Sequence, residues 1–192
     1  IDQLVAALWP ARRATRRSYS EALAQRNALL ARGRGGAELD AWDVELTRSG
    51  IQLIANRRAA IDAIEQKFAA VGEELGLPGG PTLRYRTVTG SNSPDDSKGD
   101  SRGDTAGETA LDPTTEEGFL AALRERRDAD LARGFSTFGP HRDDVVFKHE
   151  RRDVRTYASQ GQQRLTLLAL LLAECEAIAE LTSRRPLILL DD

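Results

Sequence analysis

The sequence predicts a mixed α/β chain, an α+β fragment in which a long antiparallel helical hairpin, forming an arm, adjoins a small sheet and the edge of a larger one. Three observations predict it. Two long stretches carry apolar side chains at helical spacing and are parted only by a turn containing Gly33, Gly35 and Gly36. Leu83 to Val88 alternates apolar and polar residues, as a half-buried strand does. Leu187-Ile188-Leu189-Leu190 is a continuous apolar run of the kind found in central parallel strands.

The first helix should span residues 2 to about 33, with Leu4, Leu8, Ala11, Leu23 and Leu30 near helical spacing. Pro10 should kink or break it, because proline lacks the N–H and clashes with the preceding turn. The second should run from about Leu39 to Leu75, striped by Trp42, Leu46, Ile51, Ile54, Ile61, Ile64, Phe68 and Val71. Asp40 is a plausible N-cap, and Gly76-Leu77-Pro78-Gly79-Gly80 stops the helix. Residues 90–112 hold Ser, Asp, Gly, Asn and Thr with almost no apolar side chains. Too little surface could be buried there to offset the cost of ordering, so a disordered insertion is expected.

Thr114-Thr115-Glu116-Glu117 opens a further helix with a capping-box pattern, ending near Gly134. Val145-Val146-Phe147 and Val154-Arg155-Thr156-Tyr157 read as paired strands around a charged turn. A last helix from about Gly161 is apolar nearly all round and should be buried on more than one side.

Composition bounds the function classes. Of 192 residues, 40% are hydrophobic, 30% charged and only 5% aromatic, so the core must rest on Leu, Ala, Ile and Val. Cys175 is the single cysteine, which excludes an internal disulfide and suits a reducing, cytoplasmic setting. A small buried side chain is its expected role. The two histidines, His141 and His149, do not make a zinc site. No apolar run approaches the length of a membrane span. Ile1 is not a start residue and the chain stops inside an apolar run, so a piece of a longer protein is expected.

The net charge of −3 says less than its distribution. Residues 1–35 hold seven arginines (12, 13, 16, 17, 26, 32 and 34) against Asp2 and Glu21. Arg12, Arg13, Arg16 and Arg17 fall on adjacent faces of one or two helical turns. They are either a solvated face or a contact for nucleic-acid phosphates.

Two motifs carry chemistry. Ala158-Ser159-Gln160-Gly161-Gln162-Gln163-Arg164 leads into a helix. Ser159 and Gln162 could form a capping box. The same helix start, with a serine hydroxyl and a glycine that permits close approach, could equally bind an anion such as a γ-phosphate. Leu189-Leu190-Asp191-Asp192 delivers two carboxylates to a strand end, where ligands of open α/β sheets bind. It is either an acidic turn or a magnesium site, with Asp191 on the metal and Asp192 on the attacking water. A phosphate-binding helix start followed by a strand-end acid pair is the layout of an ABC-type ATPase head.

Gly139-Pro140-His141-Arg142-Asp143-Asp144, then the Ser159 motif, then Leu189 to Asp192, resemble the RecF family in order and spacing. Gln25-Arg26-Asn27-Ala28-Leu29-Leu30 and Leu39-Asp40-Ala41-Trp42-Asp43 resemble it too. The likeness covers nearly all the chain except the acidic insertion.

The resemblance implies an SMC-like ATPase of ABC type that dimerises around ATP and Mg²⁺. Such a protein binds DNA at single-strand/duplex junctions and helps RecO and RecR load RecA. By the same carry-over, Ser159, Gly161 and Gln162 meet the γ-phosphate held by the opposite subunit. Residues 1–182 become the arm and signature-motif lobe, and residues 183–192 the start of the P-loop ATPase lobe.

The role of the Gly139 to Arg142 turn stays open between a buried turn and a contact near nucleotide or dimer interface. No G-x-x-x-x-G-K-[ST] loop occurs in the chain. Alone, it is therefore expected neither to bind ATP tightly nor to hydrolyse it. A non-enzymatic helical interaction module, with Ser159 only a cap and Asp191 only a strand end, is the rival reading.

Overall fold

The computed structural model describes residues 1–87, 112–183 and 185–188. The expected disordered insertion, apart from Asp112, and the acid pair Asp191-Asp192 lie outside the described residues. The helices are α1 (Asp2–Leu8), α2 (Arg13–Ala31), α3 (Ala37–Glu74), α4 (Glu116–Glu125), α5 (Arg127–Arg133), α6 (Val154–Tyr157) and α7 (Gln160–Thr182). The strands are β1 (Thr82–Arg86), β2 (Asp144–His149) and β3 (Arg152–Asp153). They divide into two compact units. One holds Ile1–Arg17, Ile54–Arg86 and Asp144–Asp192; the other holds Ser18–Leu53 and Thr87–Asp143.

The expected break falls at Trp9-Pro10, where Trp9 leaves helical geometry and Pro10 opens a 3₁₀ turn leading into α2. Side-chain pairing then shows α2 and α3 running antiparallel. Arg26 meets Asp43 and Tyr19 lies beside Gly50 in the second unit, and Thr15 meets Asn56 in the first. α3 begins at Ala37, so Asp40 sits inside its first turn and is not the N-cap. Its carboxylate instead accepts from Arg127, 2.5 Å away.

In the first unit an antiparallel sheet, ordered β1-β2-β3, turns Leu83 and Tyr85 of β1 and Val145 and Phe147 of β2 toward the core. α3 supplies Ile61, Ile64, Phe68 and Val71, while α1 supplies Leu4, Val5 and Leu8. α7 adds a stripe of alanines, Ala169, Ala173 and Ala177, each at most 1% exposed. Spaced one helical turn apart, these small side chains let α7 approach the core closely. Phe68 meets Phe147 edge to face at 6.0 Å. Arg57 forks onto both oxygens of Asp2 at 2.7 and 2.9 Å and donates to the Tyr85 hydroxyl. Burial alone would raise the Asp2 carboxyl, but the Arg57 bonds and charge outweigh it and hold Asp2 below the usual carboxylate range. Gly72 is required: a Cβ there would lie 2.0 Å from Pro81 Cδ, where the chain folds back after α3.

In the second unit Tyr19, Ala22, Leu30, Leu39, Leu46, Phe119, Leu123 and Phe138 are buried. Among them lies a charged network. Arg26, fully buried, donates to Asp43 at 2.6 Å, Asp130 at 2.8 Å and Ser136 at 2.8 Å. Asp130 also accepts from the backbone and hydroxyl of Thr137, and Asn27 accepts from Ser136.

Four local expectations are corrected. Residues 154–157 form a helical turn, not a strand, because Asp153 caps it by accepting from Arg155 N–H at 2.8 Å. The helix expected from Thr114 to Gly134 is two, α4 and α5, broken at Arg126. Its cap is Thr115 accepting from Gly118 N–H, without the reciprocal half of a capping box. Cys175 is half-buried rather than buried.

Residues 185–188 have no regular secondary structure and Leu187 is 86% exposed. Among the described residues no strand lies beside them to supply ladder hydrogen bonds. The rest of the expected parallel strand falls outside those residues.

Candidate functional site

α7 starts where Ser159 leaves the helix in extended geometry. Its Oγ accepts from Gln162 N–H at 3.2 Å, and Gln162 Oε1 accepts from Ser159 N–H at 2.9 Å, completing the capping box. Ser159 and Gly161 are exposed and Gln162 is half-buried. The cap does not exhaust the site. A hydroxyl accepts two hydrogen bonds and donates one, so Ser159 can hold Gln162 and still donate to an anion. By position, the N–H groups of Gln160 and Gly161 have no partner within the helix.

Gly161 is the informative residue. It is not in the left-handed region, and a Cβ built on it would meet only Ser159 Oγ, at 3.9 Å. The fold therefore leaves room for a side chain there. A glycine at that point suits close approach from outside the chain.

Beside this helix start lies a cavity of about 260 Å³, lined by Val145, Phe147, Val154 and Leu170 with Arg86 and Arg155. It is an apolar groove along the flank of α7, and Leu167, which also lines it, is 58% exposed. Burial pushes the Cys175 thiol up, with the Glu174 charge adding to it.

Of the four candidate arginines, only Arg13 stands exposed without a side-chain partner among the described residues. Arg12 is half-buried, its guanidinium 4.3 Å from the centre of the Trp9 ring. Arg16 lies 3.4 Å from Asp2, and Arg17 is also engaged. The row of four is thus partly committed to holding α1 and α2.

The Gly139 to Arg142 turn is held by hydrogen bonds. His141 Nδ1 accepts from the Tyr19 hydroxyl at 2.6 Å, while Nε2–H donates to Ser136 C=O at 3.2 Å. A carbonyl can only accept, so the neutral imidazole carries its proton on Nε2, and desolvation of the ring lowers its pKa. Gly139, at φ 131°, has no room for a Cβ, which would lie 2.6 Å from the Tyr19 hydroxyl. The imidazole therefore has both nitrogens engaged by the protein itself. Among the described residues no cluster of three His, Cys, Asp or Glu could hold a metal, and no helix is long and apolar enough to cross a membrane.

The sequence reading missed the pairing of Arg26 with Asp43, Asp130 and Ser136. Asp43 and Arg26 stand in the RecF-like motifs, but nothing local links them to Asp130. It also passed over the outer face of β1, where the alternation already places Arg84 and Arg86 away from Leu83.

No family model matches the chain. It is similar over its whole length to the DNA replication and repair protein RecF of Anaeromyxobacter sp. (strain Fw109-5), with 35% identity covering 48% of that protein. Herpetosiphon aurantiacus RecF is 34% identical, matching 91% of this chain and 41% of its own length. The chain thus spans about half the length of the curated relatives it matches. Among solved structures, the recombination mediator protein RecF-ATP in the RecFOR pathway shares the fold at TM-score 0.77. It is 24% identical, and the match covers all of this chain and 48% of that one. The ATPrS form of RecF gives 0.75 and 22% identity.

Proposed function

We propose that this chain, RecF-like along its length, is the arm and signature-bearing part of a DNA replication and repair ATPase. In this reading Ser159, Gly161 and Gln162 meet the γ-phosphate of ATP held by a second subunit. The observation that carries it is Gly161, a glycine for which the fold has no need, next to an exposed hydroxyl and two unpaired helix-start N–H groups. Relatives named for DNA replication and repair, and a RecF neighbour described with ATP, support the same reading.

Asp191 is the proposed ligand of Mg²⁺ and Asp192 the residue that orients the attacking water. The ion would supply charge neutralisation between the phosphates. ATP-dependent dimerisation, binding at single-strand/duplex junctions, cooperation with RecO and RecR in loading RecA, and a cytoplasmic setting belong to the same proposal. With no phosphate-binding loop of its own, the chain alone neither binds ATP tightly nor turns it over.

That lack makes the test clean. Mixed with full-length RecF from the Anaeromyxobacter relative, this chain can offer its Ser159 helix start only to nucleotide held by the partner. Sedimentation velocity should show a complex that needs ATP and is lost with Ser159→Arg. Association that ignores nucleotide, or that survives Ser159→Arg, overturns the proposal and favours a plain helical interaction module.

A further inference from the structure

The antiparallel register puts Thr82, Arg84 and Arg86 of β1 on the sheet face opposite the core, with Lys148, Val146 and Asp144 of β2 beside them. Arg84, Arg86 and Lys148 are all exposed. Successive same-face residues of a strand lie about 6.6 Å apart, so Arg84 and Arg86 are immediate neighbours. Like charges so placed repel and weaken a sheet unless something answers them. Asp144 answers only loosely, 3.9 Å from Arg86 and 3.8 Å from Arg155, and Asp153, across from Lys148 in the register, makes no ion pair with it among the described residues. The side chains of Arg84, Lys148 and Arg151 have no partner among the described residues.

The hairpin tip adds a second, independent observation. β2 and β3 are joined by two residues, Glu150 and Arg151, at φ 50° and 65°. Such a turn favours Asn-Gly, because side chains are strained in the left-handed region. Here a charged pair keeps that strain at an exposed tip beside the basic face, and strain of this kind gathers at binding sites.

We propose that the outer face of the β1–β2 sheet, through Arg84, Lys148 and Arg151, is the surface that grips the phosphate backbone of DNA, in place of the arginine row of α2. The occupant follows from charge complementarity: this face is positive on a chain whose net charge is −3, and it offers no aromatic or base-reading group. Its recognition is of backbone, not sequence. The inference rests on the DNA-binding part of the proposed function.

The test measures anisotropy of a fluorescein-labelled duplex bearing a single-strand tail, across a salt series, for the whole chain and three variants. Arg84→Gln with Lys148→Gln and Arg151→Gln should flatten the slope of log K against log salt by about 2 to 3, near 0.9 per phosphate contact. Arg12→Gln with Arg13→Gln, Arg16→Gln and Arg17→Gln should flatten it by about 1 at most, since one of those cations stands uncommitted. Glu150→Asn with Arg151→Gly should raise the melting temperature and yet weaken binding, whereas a turn of purely structural role would show only the rise. If the α2 variant loses binding and the sheet variant does not, this inference is overturned while DNA binding stands. If the unmodified chain fails to bind at low salt, DNA binding itself falls, and the inference with it.

Discussion

Replacing Gly161 with alanine should move stability and function in opposite directions. Nothing among the described residues opposes the new methyl, whose nearest neighbour is Ser159 Oγ at 3.9 Å, and the backbone is not left-handed. Glycine costs a helix interior about 0.8–1.0 kcal/mol relative to alanine. Gly161 is the second residue of α7, so about half of that, roughly 0.5 kcal/mol, is expected. For a chain of this size the melting temperature should rise by about 1–2 °C. A phosphate in contact with the helix start has no such room. Losing one hydrogen bond to a charged group costs about 1.5–3 kcal/mol, so ATP-dependent association with full-length RecF should weaken roughly 10- to 150-fold. Circular dichroism melts and sedimentation velocity on one preparation give both numbers. Association unchanged beside a raised melting temperature would falsify the phosphate reading of this helix start. A fall in both would mean that Gly161 is structural after all.

Removing Arg26 leaves buried Asp130 without a cation and Asp43 with Arg127 alone, so Arg26→Ala should cost about 3 kcal/mol in urea titrations. Arg26→Met combined with Asp43→Leu and Asp130→Leu should recover most of that loss, and failure to do so would show that the network does more than neutralise itself. Gly72→Ala should lose about 1–3 kcal/mol by driving Pro81 away from α3; an unchanged melting temperature would mean that the turn relaxes freely. Stability should also fall on acidification in two windows. His141 and Asp2 both titrate lower in the folded chain than in the unfolded one. Each contribution is therefore complete above the unfolded value and lost as pH falls through the folded one: from about 6.5 downward for His141 and from about 3.9 downward for Asp2. His141→Gln should remove the first window alone, and its persistence in that variant would assign the titration elsewhere.

Helical periodicity was legible because it is local. The Pro10 break, the span of α3 and the Ser159 cap follow from steric and hydrogen-bonding rules that act within a few residues. The errors also have local causes. Val154 to Tyr157 has the composition of a strand, yet one Asp153 carboxylate accepting Arg155 N–H is enough to wind it into a helical turn. Asp40 has the chemistry of an N-cap, but the helix begins earlier and the carboxylate serves Arg127. What no local rule could supply is pairing across the chain. Arg26 meets Asp130, and Tyr19 meets His141, over more than a hundred residues. Nothing local places Asp2 beside Arg16 or the Trp9 ring beside Arg12 either, so the four arginines near the start of α2 read from sequence as a row on adjacent faces, solvated or phosphate-binding.

A residue's chemistry points to a ligand only where the fold makes no demand on it. Gly139 must be glycine because Tyr19 occupies the space of a Cβ, and His141 is held on both nitrogens. Arg26, Asp43 and Asp130 answer one another in the interior. Apart from Arg26 Nη2, which lacks a hydrogen-bond partner among the described residues, the chain itself explains these residues. Ser159, Gly161, Arg84, Lys148 and Arg151 differ in kind. Threonine or aspartate would cap α7 nearly as well as Ser159, alanine would fit at Gly161, and uncharged polar side chains would serve the exposed sheet face. The fold makes little demand on them or is strained by them, and on the proposed reading the forces that account for them come from outside the chain. Both sets suit the same kind of visitor, since phosphate is what a bare helix start and an unanswered cluster of cations have in common.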